Sequence, residues 1–518
     1  MSKRSCRPNR EKIKAHRREK KQQQKLLREM QKAQGLIPKS HGTTPNTKST
    51  YETVEEEIEG RIEATTGQMN IIKMQLPSLL RRLNKIPDPR NPKKIKHSLT
   101  LLMLYGILMF VFQMSSRREV NRDMTNPQIA ENLRMMFPEL TDIPHADTLF
   151  RLLSKIDTNQ IEKALIDMIR RLIQKKKFRK YLINNCYPIA IDGTQKMPFK
   201  AIWCEELLQR KIKSGGKKQT SDDEDDTKTE MEDEYQYYVY VLEANLSFRN
   251  GMVIPLLSEF LEFEQGDMEN NKQDCEQRAF TRLAKRLKSY FPRLPILLLL
   301  DGLYANGPIM EQCHNYNWQF MIVLKENSLS TVWEKFDSQQ KNLPKNRYWR
   351  DWGARYQHFK WVNNIYYYFS GKNISINIVI CDEDWEIVDK QNDIVPQQSR
   401  HAWISSRPLS RDNVHQRCNL GARYRWGIET CFLVEKHQGY HYEHCFAFDW
   451  QAMKGYHYLM RLGHTFNTLA RFSQKLAASF RQRGVRGFIK FVYITLTGPL
   501  DPQEVEARLS QPFQLRLE

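Results

Sequence analysis

Leu294-Pro295-Ile296-Leu297-Leu298-Leu299-Leu300-Asp301-Gly302-Leu303-Tyr304-Ala305-Asn306 is the stretch whose reading decides the fold. Five consecutive apolar residues between Pro295 and Asp301-Gly302 suit a short strand covered on both faces, as in the parallel part of an α/β sheet. Asp301 then stands at the carboxyl end of that strand, where open α/β sheets place their ligands. Asp-Gly is also an ordinary turn dipeptide. A second site of the same kind therefore matters. Pro188-Ile189-Ala190-Ile191 is again short and apolar and runs into Asp192-Gly193-Thr194. If the two strands are neighbours, Asp192 and Asp301 lie side by side at one sheet edge. Two carboxylates that close need a cation between them or a shared proton.

Between and after these strands the chain alternates. Tyr235 to Leu246 and Met252 to Leu257 flank an Asn250-Gly251 turn and predict an antiparallel hairpin. Residues 270–290 predict a helix, and residues 307–316 another. Trp318 to Leu324 predicts a further strand. The first three strands can pair antiparallel, and the later ones can join through right-handed helical crossovers.

The flanks differ in character. Residues 1–32 hold thirteen Lys and Arg against three Glu, an excess of ten that accounts for about half of the net charge of +21. Such a run is a solvated tail or a DNA-contacting arm. Residues 36–60 read as a linker with Pro38, Gly42 and Pro45 followed by Glu55-Glu56-Glu57. Domain limits follow: 1–60 tail and linker, 61–180 an N-terminal helical domain, 181–325 the first part of the core. Within the core, the acidic stretch at about 212–234 is too charged to pack. Residues 326–415 form a β-rich insertion containing six Trp, 416–445 complete the core, and 446–518 are helical, with one long helix expected from Trp450 to about Gln482.

Composition narrows the function. The apolar content of 40% is that of a globular chain, and the net charge points to a polyanionic partner, nucleic acid first. Nine cysteines include no C-x-x-C pair, so neither a zinc site nor a disulfide framework is expected and an intracellular setting fits. The longest apolar run, Leu99 to Phe112, is too short to cross a bilayer comfortably. His437, His441 and His444 lack matching cysteines for a zinc site.

A third acid completes the pattern. In G-A-R-Y-R-W-G-I-E-T-C-F-L-V-E-K, Arg425 and Glu429 are four apart and Glu429 and Lys436 seven apart, so a helix projects all three from one face. Ile428, Phe432 and Leu433 flank that stripe and would bury much of it. With Asp192-Gly193-Thr194 and Asp301-Gly302-Leu303-Tyr304-Ala305-Asn306, this box resembles the three acidic motifs of DDE transposases of bacterial insertion sequences. The resemblance lies within the group that has a β-rich insertion before the glutamate and a Y-x2-R-x3-E-x6-K box, and it spans residues 95–475. The Tyr of that box would fall at Ala422; Tyr424 stands two residues on.

The resemblance implies an α/β, RNase H-like mixed sheet with a β-rich insertion, an N-terminal helical domain and a helical C-terminal region. It implies a metal-dependent enzyme that cuts and rejoins DNA at element ends, with Asp192, Asp301 and Glu429 as catalytic metal ligands and Asp192 bridging. Two Mg²⁺ ions are expected, with Mn²⁺ as a substitute. Arg425, Lys436 and Tyr424 become DNA contacts, and Trp352 and Trp361 candidates for stacking on an extruded base. Transposon ends and target DNA are the partners, with a homodimer on DNA, a cytoplasmic and nucleoid-associated location, and no membrane. Two other readings stay open: a DNA-binding protein of the same fold that no longer cuts, and a related nuclease without strand transfer.

Overall fold

In the computed structural model the described residues are 48–212, 235–262, 272–388 and 394–518, with a few positions before residue 48. Most of the basic tail, and the acidic stretch from residue 213 to 234, lie outside them.

Thirteen helices and ten strands are assigned among the described residues. In chain order the first six helices are α1 (Val54–Leu83), α2 (Leu99–Val111), α3 (Arg117–Met124), α4 (Pro127–Met136), α5 (Ala146–Leu153) and α6 (Asn159–Gln174). Then come β1 (Tyr187–Phe199), β2 (Leu208–Lys211), β3 (Tyr235–Ser247), β4 (Val253–Leu261), α7 (Lys272–Tyr290) and β5 (Ile296–Leu300). They are followed by α8 (Gly307–Asn315), β6 (Gln319–Val323), α9 (Ser330–Gln340), β7 (Arg347–Trp352), β8 (Arg355–Phe369), β9 (Lys372–Val388) and β10 (Ile394–Ser405). The last helices are α10 (Gly427–His437), α11 (Trp450–Arg471), α12 (Ala477–Thr497) and α13 (Pro502–Ser510).

The chain folds as two compact units. One gathers Tyr304–Asn315 and Gln319–Ala422; the other gathers Thr44–Leu303, Tyr316–Trp318 and Arg423–Glu518. In the larger unit, α/β in character, the strand order is β2-β3-β1-β5, and β4 pairs with β3 along the same edge as β2, beyond it. β1 is antiparallel to β3 and parallel to β5. The Asn250-Gly251 turn joins β3 to β4 as an antiparallel pair. β5 is wholly buried, as its unbroken apolar run requires.

Helices of the same unit cover this sheet. α2 is apolar almost throughout and only Thr100 is not buried. Ser98 caps it by accepting from Leu101 N–H at 3.2 Å. It lies against α11, and Gly106 and Gly463 let the two backbones approach. A Cβ on Gly106 would stand 2.7 Å from Leu459 Cδ1, and one on Gly463 would stand 2.7 Å from Phe110 Cβ. At ~1.5 Å per residue α2 is too short for a bilayer. No helix among the described residues is long and apolar enough to cross a membrane.

In the smaller unit β6-β10-β9-β8-β7 are antiparallel neighbours. β8 and β9 are the long strands of this β-rich region, and a helix, α9, precedes its strands β7 to β10.

Three local expectations change. Glu55-Glu56-Glu57 belongs to the first turn of α1, not to a linker: Thr53 accepts from Glu56 N–H, and Glu56 accepts from Glu52 N–H. β1 does not stop at Asp192. Its ladder with β3 continues through Thr194 to Phe199 after a bulge between Gln195 and Met197. The helix expected to continue to Gln482 breaks after Arg471. There the backbone pairs with the chain end instead, Gln474 N–H with Arg516 O and Glu518 N–H with Phe472 O, both at 2.9 Å.

Candidate active site

All three acids fall in the larger unit. In the parallel ladder Ala190 stands level with Leu299. Continued for two residues, the same register sets Asp192 level with Asp301. Gly193 answers here to space, not to a turn, because a Cβ would stand 2.6 Å from the Tyr240 ring. Asp301 follows β5 directly, and its carboxylate accepts from Leu303 N–H at 2.5 Å, fixing the turn Gly302–Tyr304.

The third acid arrives by an irregular route. Residues 416–421 form a π turn and 422–426 a tighter 3₁₀ turn, and only at Gly427 does the α-helix begin. Arg425 is thus not on the same α-helix as Glu429, yet its Nη2 donates to Glu429 Oε1 at 2.8 Å. Its Nη1 lies 3.5 Å from Asp192 Oδ2. One buried guanidinium therefore ties the strand acid to the helix acid. Its Nε is buried with no hydrogen-bond partner among the described residues, so one edge of the fork is unused. Gly427 permits this approach: a Cβ there would collide with Ser247 Oγ, which itself donates to Tyr424 O at 2.5 Å. Lys436 extends toward β1, donating to Gln195 O at 3.0 Å and pairing with Glu443 at 2.9 Å.

The electrostatics single out Asp192. Burial pushes its carboxyl up to about 6; Arg425 and the Gly193 N–H oppose the shift, while Asp301 and Glu429 add to it. Asp192 is thus a carboxylate with less cation beside it than its burial and its neighbours demand. The donor set is all carboxylate oxygen, which suits a hard divalent ion such as Mg²⁺. The residues present fit such an ion.

Among the described residues, one trio of metal-type side chains comes within 4.8 Å: Cys431, Glu435 and His464, all buried. The three acids do not form such a trio.

Residues 80–169 match the family model DDE_Tnp_1-associated. The matched segment is thus similar to a domain associated with DDE transposases. It covers the helical region from the end of α1 into α6, upstream of all three acids. No curated protein matches the chain.

The remaining candidates scatter. Tyr424 is half-buried, and burial raises its phenol. Trp361 is 3% exposed and its ring is covered. Trp352 is half-buried at the hairpin where it pairs with Arg355. The open rings are others. Trp349 is 48% exposed and stacks on His358 at 4.6 Å. Trp426 is 62% exposed, with the Arg425 guanidinium 5.0 Å from its ring. Helical periodicity does not mark Trp426, which is the exposed residue just before α10. Leu433 is 58% exposed and does not cover the stripe, whereas Ile428 and Phe432 are buried. His437 and His444 are exposed and His441 is half-buried; none belongs to the buried trio.

Proposed function

We propose that this chain is a DNA transposase that performs metal-dependent strand cleavage and strand transfer at the ends of an insertion sequence. The observation that carries the reading is the register of β1 and β5, continued to bring Asp192 and Asp301 level, with Glu429 joined to Asp192 through Arg425. The order of three antiparallel strands followed by a parallel one agrees with an RNase H-like core.

Asp192, Asp301 and Glu429 would hold two Mg²⁺, with Mn²⁺ able to substitute and Asp192 shared. When bound, such ions activate a water or a 3′-hydroxyl and stabilise the leaving oxygen of in-line displacement. The chain's own residues prepare the site. The sheet edge fixes two acids at one level, and α10 brings the third. Arg425 holds Asp192 and Glu429 until it turns its fork to a DNA phosphate, which would also satisfy Nε. Lys436 offers a point charge to the same strand, and Tyr424 and Trp352 remain DNA-contact candidates. The net charge of +21 favours DNA as the partner. Handling two ends and a target calls for at least a homodimer on DNA, in the nucleoid of the cytoplasm.

One observation favours a second reading. Arg425 already pairs with two of the three acids, which would suit a DNA-binding protein that no longer cuts. Cleavage of DNA carrying the element's ends, with Mg²⁺ and with EDTA, separates the two. The transposase reading expects EDTA-sensitive cuts that vanish in Asp192→Ala, Asp301→Ala and Glu429→Ala while binding persists. Binding without cutting in the wild type would favour the second reading. Supplying 3′-hydroxyl ends with target DNA tests joining, which a plain nuclease would not give.

A further inference from the structure

Behind the three acids lies a second set of charges that the proposed chemistry does not use. Arg461, in the middle of α11, is 1% exposed. Its Nη2 pairs with Glu243 Oε2 at 3.0 Å and donates to Asn245 Oδ1 at 2.6 Å, both on β3. Its Nη1 faces Glu435 Oε1 on α10 at 3.5 Å, an ion pair too long for a hydrogen bond. Glu435 Oε1 also lies 2.7 Å from His464 Nδ1, one turn along α11 from Arg461. Glu435 Oε2 and Arg461 Nη1 have no hydrogen-bond partner among the described residues, so charge more than hydrogen bonding holds this contact.

The partners' places matter. Glu243 is the residue of β3 directly opposite Asp192 in the antiparallel ladder, so the two side chains share a face of the sheet. Glu435 is on the same helix as Glu429, under two turns further on. Arg461 therefore ties the strand beside the first acid to the helix that carries the third. Glu243 is further fixed by Ser258 Oγ at 2.7 Å, Tyr442 OH at 3.2 Å and His457 Nε2 at 3.2 Å. The β3 end of the tie is thus rigid. The α10 end depends on Arg461 and His464.

We propose that Arg461, through Glu435, is a positioning residue that holds α10 at the height where Glu429 and Asp192 can engage metal together. This rests on the reading of those acids as metal ligands. Arg461 touches no substrate, and its loss should weaken metal engagement without removing DNA-binding groups.

The experiment compares wild type, Arg461→Met, Arg461→Lys and the near-isosteric Glu435→Gln. It measures the Mg²⁺ concentration for half-maximal cleavage of end DNA, DNA binding in EDTA, and the Mn²⁺ affinity of the DNA-free protein by electron paramagnetic resonance, with Asp192→Asn as the blank. The expected result is roughly a tenfold higher metal requirement in Arg461→Met and Glu435→Gln. DNA binding should stay within about twofold of wild type, and Arg461→Lys should recover part of the loss. A folded Arg461→Met or Glu435→Gln with the wild-type metal requirement overturns the proposal and leaves the transposase reading intact. Should Arg461→Met fail to fold, Glu435→Gln decides alone. If the wild type never cleaves, the transposase reading fails, and Mn²⁺ affinity still decides: weaker binding in the variants upholds the positioning role, and equal binding overturns it.

Discussion

Asp192 and Glu243 face each other across one ladder of one sheet, yet the protein treats them in opposite ways. For Glu243, burial alone would raise the carboxyl, but Arg461 and then His457 outweigh it and hold it down at about 2. For Asp192, burial wins against Arg425 and lifts the carboxyl to about 6. The first acid is surrounded by donors, a cation, a hydroxyl, a phenol and an imidazole, and it fastens three elements together. The second shares the Arg425 guanidinium with Glu429 and stands level with another acid. Folding has closed one carboxylate site and left the other short of positive charge. On the proposed reading, the second is the one that takes an ion from outside.

The largest expected effect is on catalysis. Replacing Asp192, Asp301 or Glu429 singly by Ala should lower cleavage by roughly 10³-fold or more, since several kcal/mol of charge stabilisation vanish with each ligand. Glu243→Gln should act only through the fold and through its hold on Arg461, and reduce cleavage far less. Equal losses at Glu243 and Asp192 in well-folded proteins would erase the contrast.

Stability should respond in the reverse order. Glu243→Ala leaves Arg461 buried beside one carboxylate instead of two and should cost about 3–5 kcal/mol in chemical denaturation. Asp192→Asn should stabilise. A carboxyl raised in the folded state contributes stability that is present below its unfolded value of 3.8 and lost as pH rises through about 6. Asn cannot ionise and escapes that loss. The variant should match wild type near pH 4, pull ahead between pH 4 and 6, and keep a lead of at most about 3 kcal/mol above that. Glu243 behaves oppositely: its contribution is present above 4.5 and lost as pH falls through about 2. Denaturation midpoints across pH check both signs.

Smaller effects test the scaffold. Gly427→Ala forces a Cβ onto Ser247 Oγ and should cost about 1–3 kcal/mol while shifting α10, which thermal melting and the metal requirement would register. Thr53→Ala removes only the cap of α1, far along the chain from either acid, and should cost about 1 kcal/mol in thermal melting with no change in metal requirement.

Much of this was legible in the chain because it rests on local patterns. The five apolar residues of β5 could hardly be anything but a covered strand, and the D-G-T and D-G-L motifs marked where its edge would lie. The hairpin at Asn250-Gly251 and the apolar helix after Ser98 were equally plain. Other features depend on partners distant in sequence. β1 outruns Asp192 because β3, not the turn dipeptide, decides where it ends. Arg425 reaches Glu429 from a 3₁₀ turn that no helical period predicts. The tie of Glu243, Arg461 and Glu435 joins residues more than two hundred positions apart and leaves no mark in local composition. Trp361, a candidate for stacking, is covered, and Trp426, which was no candidate, is open, because which ring is covered depends on what folds over it.

The most direct measurement of the contrast between the two acids needs no DNA. Wild type, Asp192→Asn and Glu243→Gln are melted at pH 8 while Mg²⁺ is raised. Binding to the folded state alone adds about 1.4 kcal/mol at ten times the dissociation constant. The prediction is a rising midpoint in wild type and in a folded Glu243→Gln, and none in Asp192→Asn. An equal rise in Asp192→Asn would contradict the account, because the ion would then bind somewhere other than the acid that folding leaves unsatisfied.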